Sequence, residues 1–237
     1  MELFAASMAE HRQELVRLDT AIGDGDHGTN MDRGMQKAIE KLHADPQADA
    51  GAVLKTVAMT LISTVGGAAG PLYGTLFLQL GGALAGQAEV DLPAYAAAWR
   101  KAVDGVQARG KAQLGDKTMV DALLPAVAAL EQAAAPEQGP QAPGQGLQAP
   151  EQGPQAPEQG PQAPEQGPQA PEQGPQALDQ GLQAATDAAR EGMIATTPLV
   201  ARKGRASYLG ERSAGHQDPG ATSTYYLFES AMQALRS

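Results

Sequence analysis

Hydrophobic residues recur at helical spacing along most of the chain. In residues 27–43 the apolar side chains are three or four positions apart, which places them on one face of a helix. They are Met31, Met35, Ile39 and Leu42. The same reasoning predicts eight helices, over residues 3–18, 27–43, 49–65, 71–85, 91–109, 118–134, 178–197 and 218–237. No stretch alternates convincingly between polar and apolar residues, so the sequence predicts an all-α protein, an antiparallel bundle or barrel of helices.

Two of these helices have clear N-terminal signals. Asp218 is followed by Pro219, and a capping side chain before a proline at the first helical position commonly opens a helix. Asp91 precedes another predicted helix and can cap it in the same way.

The stretch 56–86 carries no charged residue and is long enough to raise the question of a membrane-spanning helix. Its centre reads GGAAGP, and glycine and proline interrupt helices. We therefore interpret the stretch as two short core helices joined by a glycine loop, in preference to a membrane span.

Residues 135–183 repeat a seven-residue unit, typically APEQGPQ, seven times with variations. Two prolines in the typical unit exclude a coiled coil, and almost nothing apolar is available to offset the entropy of ordering. We predict a disordered, partly polyproline-II loop inserted into a single domain that spans residues 1–237. The insert is either an expanded repeat in a tolerant surface loop or a proline-motif docking site, and the first is favoured because long loop insertions cost little.

Charge and composition narrow the class of protein. The formal net charge is −10, which argues against a nucleic-acid partner, since phosphate neutralisation needs clustered Lys and Arg. The chain has no cysteine, hence no disulfide framework and no zinc–thiolate site. The first residues do not have the basic and apolar regions of a signal peptide, so we expect a cytoplasmic protein without a membrane partner.

The densest cluster of acidic residues is in LDTAIGDGDHGTN, residues 18–30. It contains Asp19, Asp24 and Asp26, and carboxylates without His or Cys suit hard cations such as Mg²⁺ or Ca²⁺. An EF-hand is excluded because its glycine and glutamate positions do not match. The next residues open a helix whose free N–H groups can bind an anion, so this pattern indicates a metal bridged to phosphate. An acidic turn that only caps the helix is the alternative.

Two further polar, glycine-containing stretches support a phosphate site. Residues 65–74 form the glycine loop, where a backbone can approach a ligand. Residues 201–223 carry Arg202, Lys203, Arg205 and Arg212, and arginine geometry matches phosphate oxygens. A merely solvated basic loop is the alternative. Neither stretch has the P-loop pattern, and no Ser–His–Asp ordering favours covalent catalysis.

Four motifs together resemble one known family, the nucleotide-binding L subunit of dihydroxyacetone kinases. They are LDTAIGDGDHGTNMDRG, TVGGAAGPLYGT, RGKAQLGDKTMVDAL and ARKGRASYLGERSAGHQDPGATS. The match runs through essentially the whole chain except the repeat. It implies an eight-helix antiparallel barrel that binds ADP or ATP at one end, with two Mg²⁺ ions held by Asp19, Asp24 and Asp26.

The resemblance also implies the nucleotide contacts, with Arg205 as a phosphate stabiliser and no covalent catalytic residue. The implied contacts are His27, Gly28, Thr29, Asn30, Ala68, Ala69, Gly110, Met119, Arg205, Asp218, Pro219 and Gly220. Three features depart from the family: GGAAG stands where a serine is frequent, the first helix looks short, and the repeat is foreign.

In the family, a separate K subunit binds dihydroxyacetone and the L subunit supplies the phosphoryl group. In the phosphoenolpyruvate-dependent version, bound ADP is recharged by a phosphohistidine on an M subunit. We expect this version, with the K and M subunits as partners. The alternatives are a subunit of an ATP-dependent dihydroxyacetone or related sugar kinase with exchanging nucleotide, and a nucleotide-binding regulatory protein that contacts a transcription factor.

Overall fold

A computed structural model describes residues 1–135 and 174–237, and all the regular secondary structure in these two segments is helical. The predicted all-α class is confirmed. The described residues form nine α-helices and one 3₁₀ helix. The α-helices are α1 (Glu2–Glu10), α2 (Arg12–Ile22), α3 (His27–Ala44), α4 (Ala50–Thr64), α5 (Ala69–Leu84), α6 (Leu92–Gly110), α7 (Val120–Ala134), α8 (Gly174–Ala195) and α9 (Pro219–Arg236), and the 3₁₀ helix is Arg205–Ser213.

The helix count differs from eight because the first predicted helix is broken in two. His11 ends α1, where its N–H donates to the Ser7 carbonyl, and also stands at the start of α2. The break falls between Met8 and Leu15, and no residue between these two is buried against the core. The two short helices together occupy the place of one.

The helices close into a ring. Each helix from α3 to α8 packs against the next α-helix in sequence, and α1 packs against both α9 and α3. Most of these neighbours are joined by short connections, so they run antiparallel. As a consequence, the N-termini of α3, α5, α7 and α9 meet at one end of the barrel, which we call the site end. The connections α3–α4 and α5–α6, and the end of α7, lie at the opposite end.

Large side chains from several helices fill the core. Phe4 lies 6.3 Å from Tyr73 between ring centroids, and Trp99 stacks on Phe228 at 4.5 Å. All four are buried. Gly28 allows α3 to approach α2 closely, because a Cβ there would collide with the Arg12 carbonyl.

The uncharged stretch folds as predicted, into two core helices joined by a glycine loop. α4 ends at Thr64, α5 begins at Ala69, and residues 65–68 connect them. Among the residues the structure describes, none of the helices has both the length and the apolar character that a membrane crossing needs.

The repeat lies mostly outside the described residues. The prediction that it forms a disordered loop concerns those residues and stays a prediction. Its last unit is described and is helical: α8 begins at Gly174, ahead of the predicted residue 178. In this unit the prolines have been lost, so a helix can form. Gly181 and Leu182 are buried there. The single-domain organisation stays a prediction.

Candidate functional site

A cavity of about 390 Å³ opens at the site end, within the range typical of small-molecule sites. It brings together most of the residues that the sequence analysis singled out, although they come from all four motifs. They are Asp19, Asp24, Asp26, His27, Ala68, Ala69, Gly110, Met119, Arg205, Asp218, Pro219 and Gly220. The ring of antiparallel helices explains this convergence, since every second connection returns to the same end.

The three aspartates form a tight cluster in one wall of the cavity. Asp19 lies near the end of α2, and Asp24 and Asp26 lie in the turn to α3. Each offers one carboxylate oxygen, and these three oxygens all lie within 4.8 Å of one another. Such an all-oxygen donor set suits a hard divalent cation.

Asp19 also organises the turn. Its Oδ2 atom accepts the backbone N–H groups of Asp26 at 2.8 Å and of His27 at 3.1 Å, so it caps α3 from the preceding helix. Gly23 lets the chain pass close by, because a Cβ at this position would collide with Asp19 Oδ1. The helix-capping interpretation therefore holds for Asp19, while the cluster as a whole retains oxygens that face one another.

The basic loop contributes positive charge to the same wall. Arg205 Nη1 lies 2.6 Å from Asp24 Oδ2. Lys203 also lines the cavity, whereas Arg202 and Arg212 of the same loop do not. The Arg205 side chain is 61% exposed, so this ion pair adds little to stability and leaves the guanidinium accessible from solvent.

Four helix N-termini point at the cavity. His27, Ala69, Val120 and Pro219 are the first residues of α3, α5, α7 and α9, and all four line it. The first turn of a helix carries N–H groups that no carbonyl of the same helix pairs, and a partial positive charge. Four such ends around one cavity make a strong site for an anion, and phosphate is the usual example.

His27 is held in a buried polar network beneath the cavity. Its Nε2 atom lies 2.9 Å from the Ser223 hydroxyl oxygen, and the Tyr73 hydroxyl lies 2.7 Å from that same oxygen. Burial lowers the pKa of His27 to about 4, so its imidazole is neutral at physiological pH. This network ties α3, α5 and α9 together behind the site.

Asp218 caps α9 as the sequence predicts. Its Oδ2 atom accepts the Ala221 N–H at 2.7 Å, and its own N–H donates to Thr196 Oγ1 at 3.0 Å. Because the side chain is buried, the pKa of Asp218 is raised to about 7.

Three predicted contacts do not line the cavity. Gly28 packs against α2, Thr29 is exposed, and Asn30 is buried with its Oδ1 atom accepting from Arg33 at 2.7 Å. In the first turn of α3 only His27 reaches the cavity lining.

The cavity also contains residues that the sequence analysis did not select. Leu72 and Val106 give it an apolar wall, and Arg109, Lys117 and Thr118 add polar groups. The apolar pair looks like ordinary core in the sequence, so no signal marks it. For Lys117, the one signal in the sequence is a charged residue directly after the Gly-Asp of GDKT.

Comparison with known proteins identifies the family. The chain matches the DAK2 domain over residues 21–159 and 165–233, which together are most of its length. The chain belongs to the DAK2 domain family. DAK2 relatives include the "PEP-dependent dihydroxyacetone kinase, ADP-binding subunit DhaL" of Escherichia coli (strain K12), 40% identical over 91% of this chain and 84% of the relative. Another is the corresponding subunit of kinase 1 of Listeria innocua, 34% identical over 97% of this chain and 91% of the relative.

A solved structure shares the fold of this chain. The dihydroxyacetone kinase of C. freundii, in complex with AMP-PNP and Mg²⁺, superposes with a TM-score of 0.61 at 23% identity. The superposition covers 98% of this chain and 32% of the kinase chain, so the DAK2 fold corresponds to about one third of that protein. The likeness shows that this chain and that part of the kinase share a fold.

Proposed function

We propose that this chain is the ADP-binding L subunit of a phosphoenolpyruvate-dependent dihydroxyacetone kinase. The observation that carries the proposal is the cluster of Asp19, Asp24 and Asp26 beside four helix N-termini in one cavity. The names of the relatives from E. coli and L. innocua, both ADP-binding subunits of such kinases, support it.

The three aspartates would hold Mg²⁺, two ions by resemblance to the family. Their oxygens are close enough to share a cation, and the donor set is the one that Mg²⁺ prefers. When bound, the metal would neutralise phosphate charge and orient the phosphate oxygens. Asp19 would do this with one oxygen, because the other is engaged in capping α3.

The remaining lining fits a nucleotide. Phosphates would bind the N–H groups at the starts of the helices, including the glycine loop at Ala68 and Ala69. The apolar wall around Leu72 and Val106, with Met119, suits a flat base. Gly110 and Gly220 would let the backbone approach the ligand, as the family resemblance implies.

The chain's own part in phosphoryl transfer would be to position the nucleotide and balance its charge. This reaction asks for little covalent chemistry from the protein. Arg205 would exchange its contact with Asp24 for a phosphate oxygen as charge develops there. Dihydroxyacetone would be presented by a K subunit, and the ADP would be recharged by a phosphohistidine on an M subunit.

The test is the nucleotide content of the freshly purified protein, measured by chromatography after denaturation. We expect about one ADP per chain, retained through gel filtration in the presence of Mg²⁺. A protein that binds ATP and ADP weakly and reversibly would point instead to a kinase with exchanging nucleotide. A protein with no affinity for either nucleotide would overturn the proposal.

A further inference from the structure

Among the residues that the structure describes, Lys117 is the only buried lysine or arginine. Its side chain is 1% exposed, and its backbone has a φ of +63°, in the left-handed region that favours glycine. Its ammonium donates to three backbone carbonyls: those of Thr196 at 2.6 Å, Thr197 at 3.4 Å and His216. An ammonium has three N–H donors, so the three carbonyls match its full capacity.

These carbonyls lie at the two ends of one chain segment. Thr197 and His216 flank residues 198–215, the segment that carries Lys203 and Arg205 into the cavity. Its ends are also joined by the Gly215 N–H, which donates to the Thr197 carbonyl at 2.8 Å. Lys117 therefore lies at the neck of the segment and binds both of its ends at once.

The loop that carries Lys117 holds the segment at a second point. The Arg202 N–H donates to the Asp116 carbonyl at 3.1 Å. Asp121 fixes the loop itself, because its carboxylate accepts the N–H groups of Gly115 at 2.6 Å and Thr118 at 2.8 Å. The pKa of Lys117 is lowered, because burial outweighs the opposing effect of the nearby carboxylates of Asp218 and Asp121.

Keeping a lysine buried costs free energy that an apolar side chain would avoid. A group that only filled space would not need a charge here. We propose that Lys117 is a positioning residue, whose ammonium fixes the neck of segment 198–215 and thereby holds Arg205 beside the acidic cluster. This role rests on the proposed nucleotide function, although the fixing of the segment can be measured without it.

The absence of cysteine from the chain allows a direct test. The Lys117→Cys variant is unfolded, alkylated and refolded. Alkylation with 2-bromoethylamine restores an ammonium at nearly the same distance from the backbone, and alkylation with 1-bromopropane gives a neutral side chain of the same shape. Lys111 provides the matched control, because it also has a left-handed backbone, with a φ of 54°, but is exposed.

Two readouts are compared, hydrogen exchange at the Arg202 and Gly215 amides and the affinity for ADP in the presence of Mg²⁺. We expect the propyl form to exchange at both amides about tenfold faster and to bind ADP about tenfold more weakly, as when an orienting partner of a ligand-binding group is removed. The aminoethyl form should recover both properties. The two alkylated forms of Lys111→Cys should match the wild type.

Equal exchange and equal affinity in the propyl and aminoethyl forms would overturn the role of Lys117. If the wild-type chain binds no ADP, the proposed function fails, but the exchange measurement still tests the fixing of the segment. Should the propyl form not refold, Lys117→Gln replaces it: its amide is neutral and can donate to at most two of the three carbonyls, so exchange and affinity should change in the same direction as in the propyl form but by less. Wild-type exchange and affinity in Lys117→Gln would equally overturn the proposal.

Discussion

The two ends of the helical barrel differ in whether their charged side chains are buried or exposed. At the site end, charged and hydroxyl side chains are buried and bonded to the backbone or to one another, as with Asp19, Lys117, Asp121, Asp218 and Ser223. These groups lose their hydration on folding, and well-formed hydrogen bonds must offset that cost in free energy. The site end thus has a polar interior that stability alone does not require.

At the opposite end, the charged side chains of the described residues lie at the surface. Arg100 and Glu131 pair at 2.6 Å, and Arg236 and Asp179 pair at 2.7 Å, with every one of these side chains at least 33% exposed. Such pairs contribute about 0–1 kcal/mol each. Changes at this end should therefore be tolerated, whereas changes at the site end should affect binding, stability or both.

The largest difference between the ends is expected for the acidic cluster. Asp24→Asn keeps the shape of the side chain but removes a charge from the proposed cation site, and we expect phosphoryl transfer to fall about a hundredfold or more. The helical content should not change, because Asp24 is partly exposed and its one ion pair among the described residues is with the exposed Arg205. The measurements are the transfer rate with the partner subunits and the circular dichroism spectrum.

Asp45→Asn is the matched control at the opposite end, where Asp45 is exposed after α3. Its transfer rate should equal that of the wild type. A folded Asp24→Asn protein with full activity would remove the metal assignment from this residue.

The next largest difference concerns the pH dependence of stability through Asp218. Its pKa is raised to about 7, so between about pH 4 and pH 7 the folded protein holds a proton that the unfolded chain has lost. The stability from this group is fully present below pH 4 and is lost as the pH rises through 7. Asp218→Asn cannot ionise. Its advantage over the wild type in the free energy of unfolding should therefore grow across this range by about 4 kcal/mol.

Urea unfolding of both proteins at pH 4 to 8 measures this advantage, and the difference between them cancels the other titrating groups. Asp91→Asn is the control, because Asp91 caps α6 through the Ala94 N–H at the opposite end and is exposed. A pH-independent difference between Asp218→Asn and the wild type would contradict the raised pKa.

The sequence predicts the helices better than it predicts how they pack against one another. Helical periodicity and caps such as Asp91 and Asp218 locate the helices within a few residues, because amphipathic spacing and capping are local properties. The sequence does not predict the break at His11, because the helical pattern of α1 continues into α2. The break becomes visible only in the packed barrel. The start of α8 at Gly174 was obscured by the repeat.

At the site, the motif residues with unusual charge or glycine content could be found from the sequence. Asp24 and Arg205 are examples, and they lie in one cavity although most of the chain separates them. Lys117 could not be assigned, because its role depends on carbonyls contributed by residues 196–216. The roles of Tyr73 and Ser223 could not be predicted for the same reason, because their contact joins α5 to α9 across the core.

The smallest effect is expected for the repeat, and it tests the opposite end directly. α7 begins at the cavity and has 15 residues, so the repeat is attached about 22 Å away, at the end of this helix. We expect that replacing residues 136–173 with about six glycine and serine residues, a usual length between antiparallel helices, leaves ADP affinity unchanged. If the repeat is the disordered loop that its composition predicts, the shorter connection should raise the free energy of unfolding by about 1.5 kcal/mol.

Calorimetric ADP titration and urea unfolding measure the ADP affinity and the free energy of unfolding of this deletion variant. Weaker ADP binding by a folded deletion variant would show that the two ends are coupled, and loss of transfer with ADP affinity intact would show that the repeat docks a partner subunit.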